Sequence, residues 1–508
     1  MSTRVASHYG DGARGLQWLW FWTVVGLALR LWTLGSESLW LDEILAAERV
    51  DQSLGFILSG GDSASQGPIF AVWIKFWGMI AGTDEWMLRI WPAIWGTLCI
   101  PAVYFLARQL FTGAIALLAA LFMAVHPFAI HYSQDARPYS LFLLCSIVAS
   151  YLLLKMMRQH RWPVALAYVL VAGATVYIHP FAAFLIAAHL WMYLWFRRES
   201  RFRGALRYPR PYAWTLVLLI VACSPEIWQD AAIMFSDTVR PQATAWIPIP
   251  SWNWPLVNAG DYFMWRKLGY AVLLLAALPA IFRALTETQL RIGFQWMLIV
   301  AVCFWILPWV ISLTVKPITV ARYTTPGLLV IILLMAVAAT TLQALPRQLY
   351  MMVLFALTVY PLWGYYTGVD KDPWRQHAQY LAERVKPGDR IVAYPDVADV
   401  AQEYYLPPGV CSQVARADSP AEWDSLLVNT PRVWLVTSYL QLTPADRSQI
   451  ELIERTHVRA RQIAMRDLLR MHKHRFWAAP IQVTLYEQHA TEQPGPAPAM
   501  PADTTTSS

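Results

Sequence analysis

Apolar runs about as long as a bilayer is thick recur between Leu16 and Tyr366, and nothing else in the chain restricts its fold so strongly. A spanning helix needs about 20 predominantly apolar residues. Inside hydrocarbon the backbone must satisfy its own hydrogen bonds, so such runs fold as helices. Eleven spans are expected: Leu16–Leu34, Trp86–Ala107, Thr112–Ile130, Tyr139–Met157, Trp162–Ile178, Phe181–Phe196, Tyr212–Ser224, Leu268–Phe282, Phe294–Val315, Tyr323–Leu345 and Gln348–Tyr366. Only 14% of residues are charged, against about 25% in soluble chains, which excludes an ordinary soluble domain. The first run lacks a small-residue cleavage site and is expected to stay as an anchor.

Basic residues orient the bundle. One set of connections holds Arg108, then Lys155, Arg158 and Arg161, then the Arg197–Arg210 cluster, then Arg283, Arg291 and Arg347. That set is expected to be cytoplasmic, together with residues 1–15. Orientation accounts for most of the basic residues, so the net charge of +7 gives no argument for nucleic acid. The opposite, outer side then carries residues 35–85, the connector 131–138, the segment 316–322 and everything beyond 366. In the outer loop 35–85, Leu41–Val50 and Pro68–Ile80 are expected as helices on the membrane surface, because their apolar stretches are too short to span.

From about residue 367 the composition becomes that of a soluble domain. Arg390–Tyr394, Arg432–Thr437 and Ile481–Glu487 read as strands, and Trp374–Val385, Ala398–Tyr405 and Ala445–Arg455 as helices. The expected fold class is an α-helical polytopic membrane protein of about eleven spans (residues 16–366) with a small α/β domain (367–488) on the outer, periplasmic side. Residues 489–508 are Pro, Ala and Thr without apolar periodicity and are expected to be disordered.

Four cysteines, Cys99, Cys145, Cys223 and Cys303, lie in apolar runs and read as small buried hydrophobes. There is no Cys/His zinc spacing, P-loop, HExxH or GxSxG elbow, so neither a metal nor another cofactor is indicated. The chemistry-bearing residues instead gather at outer ends of spans. Asp42 and Glu43 emerge after the first span. One reading is a helix start favoured by the dipole; the other is a general base, since a carboxylate beside apolar surface holds its proton more tightly. His131-Tyr-Ser-Gln134-Asp135-Ala-Arg137-Pro-Tyr139 forms the second group. It is either a solvated polar turn or a site in which Arg137 clamps a phosphate with two parallel bonds and Asp135 orients Arg137 or the acceptor. Lys316 and Arg322, the third group, are either snorkelling cations or contacts for an anionic head group. His179, at a turn before Pro180, is a minor candidate.

The order and common sidedness of these motifs resemble the GT-C superfamily of membrane glycosyltransferases. The similarity is to the bacterial branch related to protein O-mannosyltransferases and lipid A aminoarabinose transferases (glycosyltransferase families 39 and 83). Leu41-Asp42-Glu43, Tyr132–Ser140, Tyr177-Ile-His179 and Lys316–Pro326 carry it. The resemblance implies an inverting enzyme of the inner membrane. It takes a polyprenyl-phosphate-linked sugar as donor and a lipid, polysaccharide or protein hydroxyl as acceptor. It also implies Asp42 as base, Arg322 and Arg137 at the donor phosphate, and Gln134, Tyr139, Tyr323, Lys316 and His179 around the substrate. Where relatives commonly carry His-Pro-Pro or Lys-Pro, this chain has Gln66-Gly67-Pro68 and must supply that contact from elsewhere. A transporter or flippase of lipid-linked sugar is the main alternative. It predicts internal repeats and polar mid-span residues, whereas the polar candidates here cluster at span ends.

Overall fold

The computed structural model describes residues 12–59, 67–159, 161–199, 202, 209–235, 246–341, 344–368, 371–394, 398–415, 420–438, 444–465 and 481–488. The expectation for residues 489–508 lies outside them. The chain divides into two compact units, one of residues 1–37 and 42–370, the other of residues 38–41 and 371–508.

The first unit is a multi-pass helical membrane bundle. Among the described residues, seven helical stretches are long and apolar enough to cross a membrane: Glu85–Leu110, Tyr139–Arg158, Ala213–Ala232, Arg266–Thr286, Thr288–Thr314, Ala321–Ala338 and Pro346–Thr367. Gly113–Val125, Trp162–Val176 and Ala182–Phe196 are apolar but shorter. The Thr112–Ile130 run divides because Pro127 disfavours helical geometry at the residue before it. His126 is extended there, at φ −70° and ψ 125°, and a second short helix, Pro127–His131, follows. The run around residues 288–314 stays continuous but widens into a π-helical turn at Val302–Ile306, just before Pro308. In a regular helix the Pro308 ring would strike the carbonyl of residue 304, and the wider turn avoids that collision.

Burial orders the bundle. Of the residues in Ala321–Ala338, 94% are buried, against 22% in an 18-residue apolar window of each of Ala213–Ala232, Arg266–Thr286 and Pro346–Thr367. The first is therefore the axis, and the other three present apolar sides suited to lipid. One buried cation ties the bundle together. Arg30, in the helix Ala13–Leu31, donates to the carbonyls of Gly26, Met123 and Ala124 and to Ser133 Oγ. A guanidinium with no carboxylate on it is tolerated because these acceptors meet its donors. Both short helices expected between the first two spans form, and their placement on a membrane surface stays an expectation. Leu41–Ala47 continues as a 3₁₀ turn through Val50, and Pro68–Ala81 opens with Pro at its first position, where a missing N–H costs nothing.

The second unit holds a four-stranded sheet: β1 (Arg390–Tyr394), β2 (Arg432–Thr437), β3 (His457–Ala464) and β4 (Gln482–Gln488), in the order β1-β2-β4-β3. β1 and β2 pair in parallel and the other pairs are antiparallel. Helices Trp374–Ala382, Ala398–Tyr405 and Pro444–Thr456 lie where the sequence pattern places them. β3 is an addition to that pattern. It is an edge strand, mostly exposed and rich in arginine, so it lacks the apolar alternation that reveals a buried strand. The segment 38–41 belongs to this unit: Ser38 Oγ donates to the Asp372 carbonyl at 2.8 Å, and the Leu39 N–H donates to Tyr405 Oη at 2.7 Å.

Candidate active site

Three segments of the first unit converge: the helix Leu41–Ala47, the connector 131–138 and the 3₁₀ turn Ala321–Gly327. The helix carries two carboxylates with opposite surroundings. Glu43 is fully buried and takes two parallel bonds from Arg89, Nε to Oε1 at 2.8 Å and Nη2 to Oε2 at 2.7 Å. Its Oε1 also accepts the Ala136 N–H at 2.7 Å. Arg89 further donates to the carbonyls of Leu34 and Glu37. One ion pair thus fixes the exit of the first helix, the start of the next long helix and the connector to each other.

The connector is built on its own turns. The Arg137 N–H donates to the Asp135 carbonyl at 2.7 Å, and Pro138 then leads into the helix Tyr139–Arg158. Gln134 spreads its amide across three segments: Nε2 donates to the carbonyls of Arg30 and Trp32, and Oε1 accepts from Tyr365 Oη. Asp135 is buried at 1% exposure. Arg137 Nη1 donates to the Asp42 carbonyl at 3.2 Å.

Asp42 is the opposite of its neighbour. Its side chain is 25% exposed, and one oxygen, Oδ2, lies 3.7 Å from Arg137 Nη2 and 3.9 Å from Arg322 Nη2. Both distances exceed a hydrogen bond, so the carboxylate is attracted to two cations and held by neither. The arginine side chains are 3% and 11% exposed. Burial opposes the charge on Arg137, but Asp42, the Tyr139 oxygen and Asp135 outweigh it and hold its pKa above the usual arginine value. The guanidinium of Arg322 lies over the rings of Trp246 and Tyr323, at 5.1 and 5.5 Å to their centroids. Such stacking holds the plane of a guanidinium.

The turn that presents Arg322 and Tyr323 is tied down from beneath. Tyr262 Oη donates to the Thr324 carbonyl at 2.5 Å and accepts from Trp305 Nε1 at 3.3 Å. Asn258 Nδ2 donates to Thr324 Oγ1 at 3.1 Å. Trp305 comes from the π-helical turn, and Gly327 makes room for it, since a Cβ there would lie 2.2 Å from Trp305 Nε1.

Of the expected residues, Asp42, Arg137 and Arg322 meet directly. Tyr139, Tyr323 and His179 form a ring cluster: His179 to Tyr323 at 5.2 Å, His179 to Tyr139 at 5.9 Å and Tyr139 to Tyr323 at 6.4 Å. Glu43 and Gln134 are engaged in the frame. Lys316 Nζ has no hydrogen-bond partner among the described residues and no contact that places it at Asp42. Among those residues no group of three His, Cys, Asp or Glu side chains could hold a metal ion. Sequence reading missed Arg89, Arg30, Trp246 and the Asn258–Tyr262–Thr324 knot. Two arginines inside apolar helices were the one available signal, because an intramembrane cation needs a partner.

Residues 65–228 match the family model described as dolichyl-phosphate-mannose-protein mannosyltransferase. That segment contains Arg137, Tyr139 and His179 and begins after Asp42. No curated protein matches the sequence. Among solved structures the fold is similar to ArnT from Cupriavidus metallidurans bound to undecaprenyl phosphate, with a TM-score of 0.55 and 14% identity over 93% of this chain and 98% of that one. The apo state of the same protein gives 0.53, with 13% identity over the same shares. The Archaeoglobus fulgidus oligosaccharyltransferase tethered to an acceptor peptide gives 0.52, with 13% identity over 84% of this chain and 69% of that one.

Proposed function

We propose that this chain, which matches a protein-mannosyltransferase family model over residues 65–228 and is similar in fold to ArnT, is an inverting glycosyltransferase of the GT-C kind. It moves a sugar from a polyprenyl-phosphate donor to a hydroxyl group on the outer, periplasmic face of the inner membrane. The observation that carries this reading is the placement of one oxygen, Oδ2, of the partly exposed Asp42 carboxylate within 4 Å of two buried arginines. A base and an anion site side by side are what displacement at an anomeric carbon requires.

The acceptor oxygen attacks the anomeric carbon while Asp42 takes its proton. The bond from that carbon to the phosphate oxygen breaks on the opposite face. The bonding pair leaves with the polyprenyl phosphate, which gains one negative charge. Arg137 and Arg322 are fixed before the reaction and stabilise that charge as it develops. The leaving phosphate needs no proton, so no general acid is assigned. Glu43, through Arg89 and Ala136, sets where Asp42 and the connector stand; the Asp135 carbonyl accepts the Arg137 N–H, and Gln134 ties the connector to Arg30, Trp32 and Tyr365. Tyr323, whose ring lies under Arg322, lines the donor side.

The test is mass spectrometry of envelope glycans and lipids from cells with the wild-type protein, with none, and with Asp42→Asn. A sugar-sized mass absent from both the null and the variant supports the proposal and identifies sugar and acceptor together. Unchanged glycoconjugates, with lipid carrier accumulating on the cytoplasmic side, overturn it in favour of transport.

A further inference from the structure

His179 is buried at 1% exposure in the turn between the helices Trp162–Val176 and Ala182–Phe196. It is held on every side. Its ring stacks on Phe142 at 4.8 Å and 14° and meets the edges of Tyr323 and Phe181. Its Nδ1 accepts the Phe181 N–H at 3.2 Å. That bond decides the tautomer, since a neutral imidazole that accepts at Nδ1 carries its proton on Nε2. The Nε2–H then has no partner among the described residues. Burial, with Arg137 and Arg322 adding to it, pushes the pKa of His179 down to about 3, so the ring is neutral at any physiological pH.

A second orphan lies beside it. Tyr139 Oη is fully buried and also without a partner among the described residues. A buried polar group left unpaired carries a desolvation penalty. Two of them next to two guanidiniums imply a ligand rich in acceptor oxygens. A phosphate has that chemistry, since each of its oxygens accepts more than one hydrogen bond.

The backbone keeps this turn in place. The Gly67 N–H donates to the Ile178 carbonyl at 3.0 Å and the Ile69 N–H to the Tyr177 carbonyl at 3.1 Å, so the start of the helix Pro68–Ala81 is pinned to the residues just before His179. Only glycine fits at 67, because a Cβ would lie 2.1 Å from the Tyr177 carbonyl oxygen.

We infer that His179 Nε2–H and Tyr139 Oη–H are the uncharged half of the donor site: two fixed donors to phosphate oxygens, with Gly67 as the positioning residue that sets the His179 turn. The inference rests on the glycosyltransferase reading and deepens it. It explains how a chain with Gln66-Gly67-Pro68 in place of a cation still meets the donor phosphate. The contact comes from a neutral donor that the adjoining turn supplies. His179 then acts by hydrogen bonding and never as an acid, and no third cation is forced next to Arg137 and Arg322.

The experiment measures binding of undecaprenyl phosphate to the full-length protein in detergent, by quenching of intrinsic tryptophan fluorescence, with thermal unfolding recorded for each variant. Tyr139→Phe removes one oxygen and little volume, and His179→Phe removes the donor. Each is expected to weaken binding about ten- to a hundredfold, the range for a lost hydrogen bond to a charged group. His179→Gln carries an amide N–H that reaches the position of Nε2 and is expected to bind within a few-fold of wild type. Wild-type affinity in both folded phenylalanine variants overturns the inference and leaves the enzyme reading standing. Equal losses in His179→Gln and His179→Phe overturn the donor role of His179. No binding by the wild type overturns the enzyme reading and the inference with it.

Discussion

Asp42 and Glu43 are adjacent, equally charged and on one helix, yet they occupy different physical regimes. Glu43 is fully buried, with two bonds to Arg89 and a third to a backbone N–H. The Asp42 side chain is a quarter exposed, and its carboxylate stands beyond hydrogen-bond distance from both of its arginines. A saturated buried pair cannot change partners without a large penalty, so it serves as framework. A carboxylate attracted to two cations but bonded to neither can exchange them for a substrate at little cost. The proposed chemistry therefore falls on Asp42, the acid that the family resemblance also singles out, although local pattern alone gives no reason to rank one above the other.

The sharpest way to break this contrast is to neutralise each acid in turn. Asp42→Asn keeps shape and removes the base; transfer is expected to fall by about 10²–10⁴-fold, the usual contribution of general base catalysis, with a smaller drop in melting temperature than Glu43→Gln gives, because Asp42 is a quarter exposed and makes no hydrogen bond to its arginines. Glu43→Gln reverses the pattern. It leaves the Arg89 charge buried without its counter-charge, and breaking a buried pair from one side costs about 3–5 kcal/mol. Thermal unfolding of purified protein reads that loss, and activity per folded molecule is expected to survive. Glu43→Leu combined with Arg89→Met is expected to recover much of the stability, since apolar replacement of a whole buried pair is often neutral. A folded Asp42→Asn enzyme with full turnover, or a Glu43→Gln enzyme that is stable and dead, would invert the assignments.

A smaller effect sharpens the comparison on the cation side. Arg137→Lys and Arg322→Lys keep the charge and lose the planar fork. Donor affinity is expected to fall about tenfold in each, while Arg89→Lys, tested alongside, lowers stability and leaves affinity per folded molecule intact. Titration with undecaprenyl phosphate separates the two. Loss of affinity in Arg89→Lys alone would place the anion site at the framework pair.

The parts of the fold that the sequence discloses are those governed by local pattern. The outer-loop helices, β1, β2 and β4 follow from apolar periodicity, and Asp42, Arg137 and Arg322 from where span ends fall. What stayed hidden depends on long-range pairing. Arg89 finds Glu43 across 46 residues and Arg30 finds Ser133 across 103, and neither distance leaves a trace in local composition. β3 escaped because an exposed edge strand pairs through its backbone, so its side chains need carry no apolar pattern. The break at His126 was legible in Pro127, but a long apolar run concealed it.

The subtlest prediction concerns Tyr262, which touches neither acid but fixes the turn that brings Arg322 to Asp42. Its hydroxyl donates to the Thr324 carbonyl and accepts from Trp305, and Asn258 holds the Thr324 side chain. Tyr262→Phe preserves the ring and removes one oxygen, leaving the Trp305 N–H and a Thr324 carbonyl short of partners. Each such buried loss costs about 1–3 kcal/mol, so a modest drop in melting temperature is expected whatever the knot is for. The discriminating readout is the anion site. If the knot positions Arg322, undecaprenyl phosphate affinity falls a few-fold in Tyr262→Phe and the fall is not additive with Arg322→Lys, because both act through the same guanidinium. If the knot only packs the bundle, affinity per folded molecule is unchanged and the two substitutions combine additively. Non-additivity would extend the framework from the Glu43–Arg89 pair to the far side of the site, so that Asp42 reacts between two rigid supports.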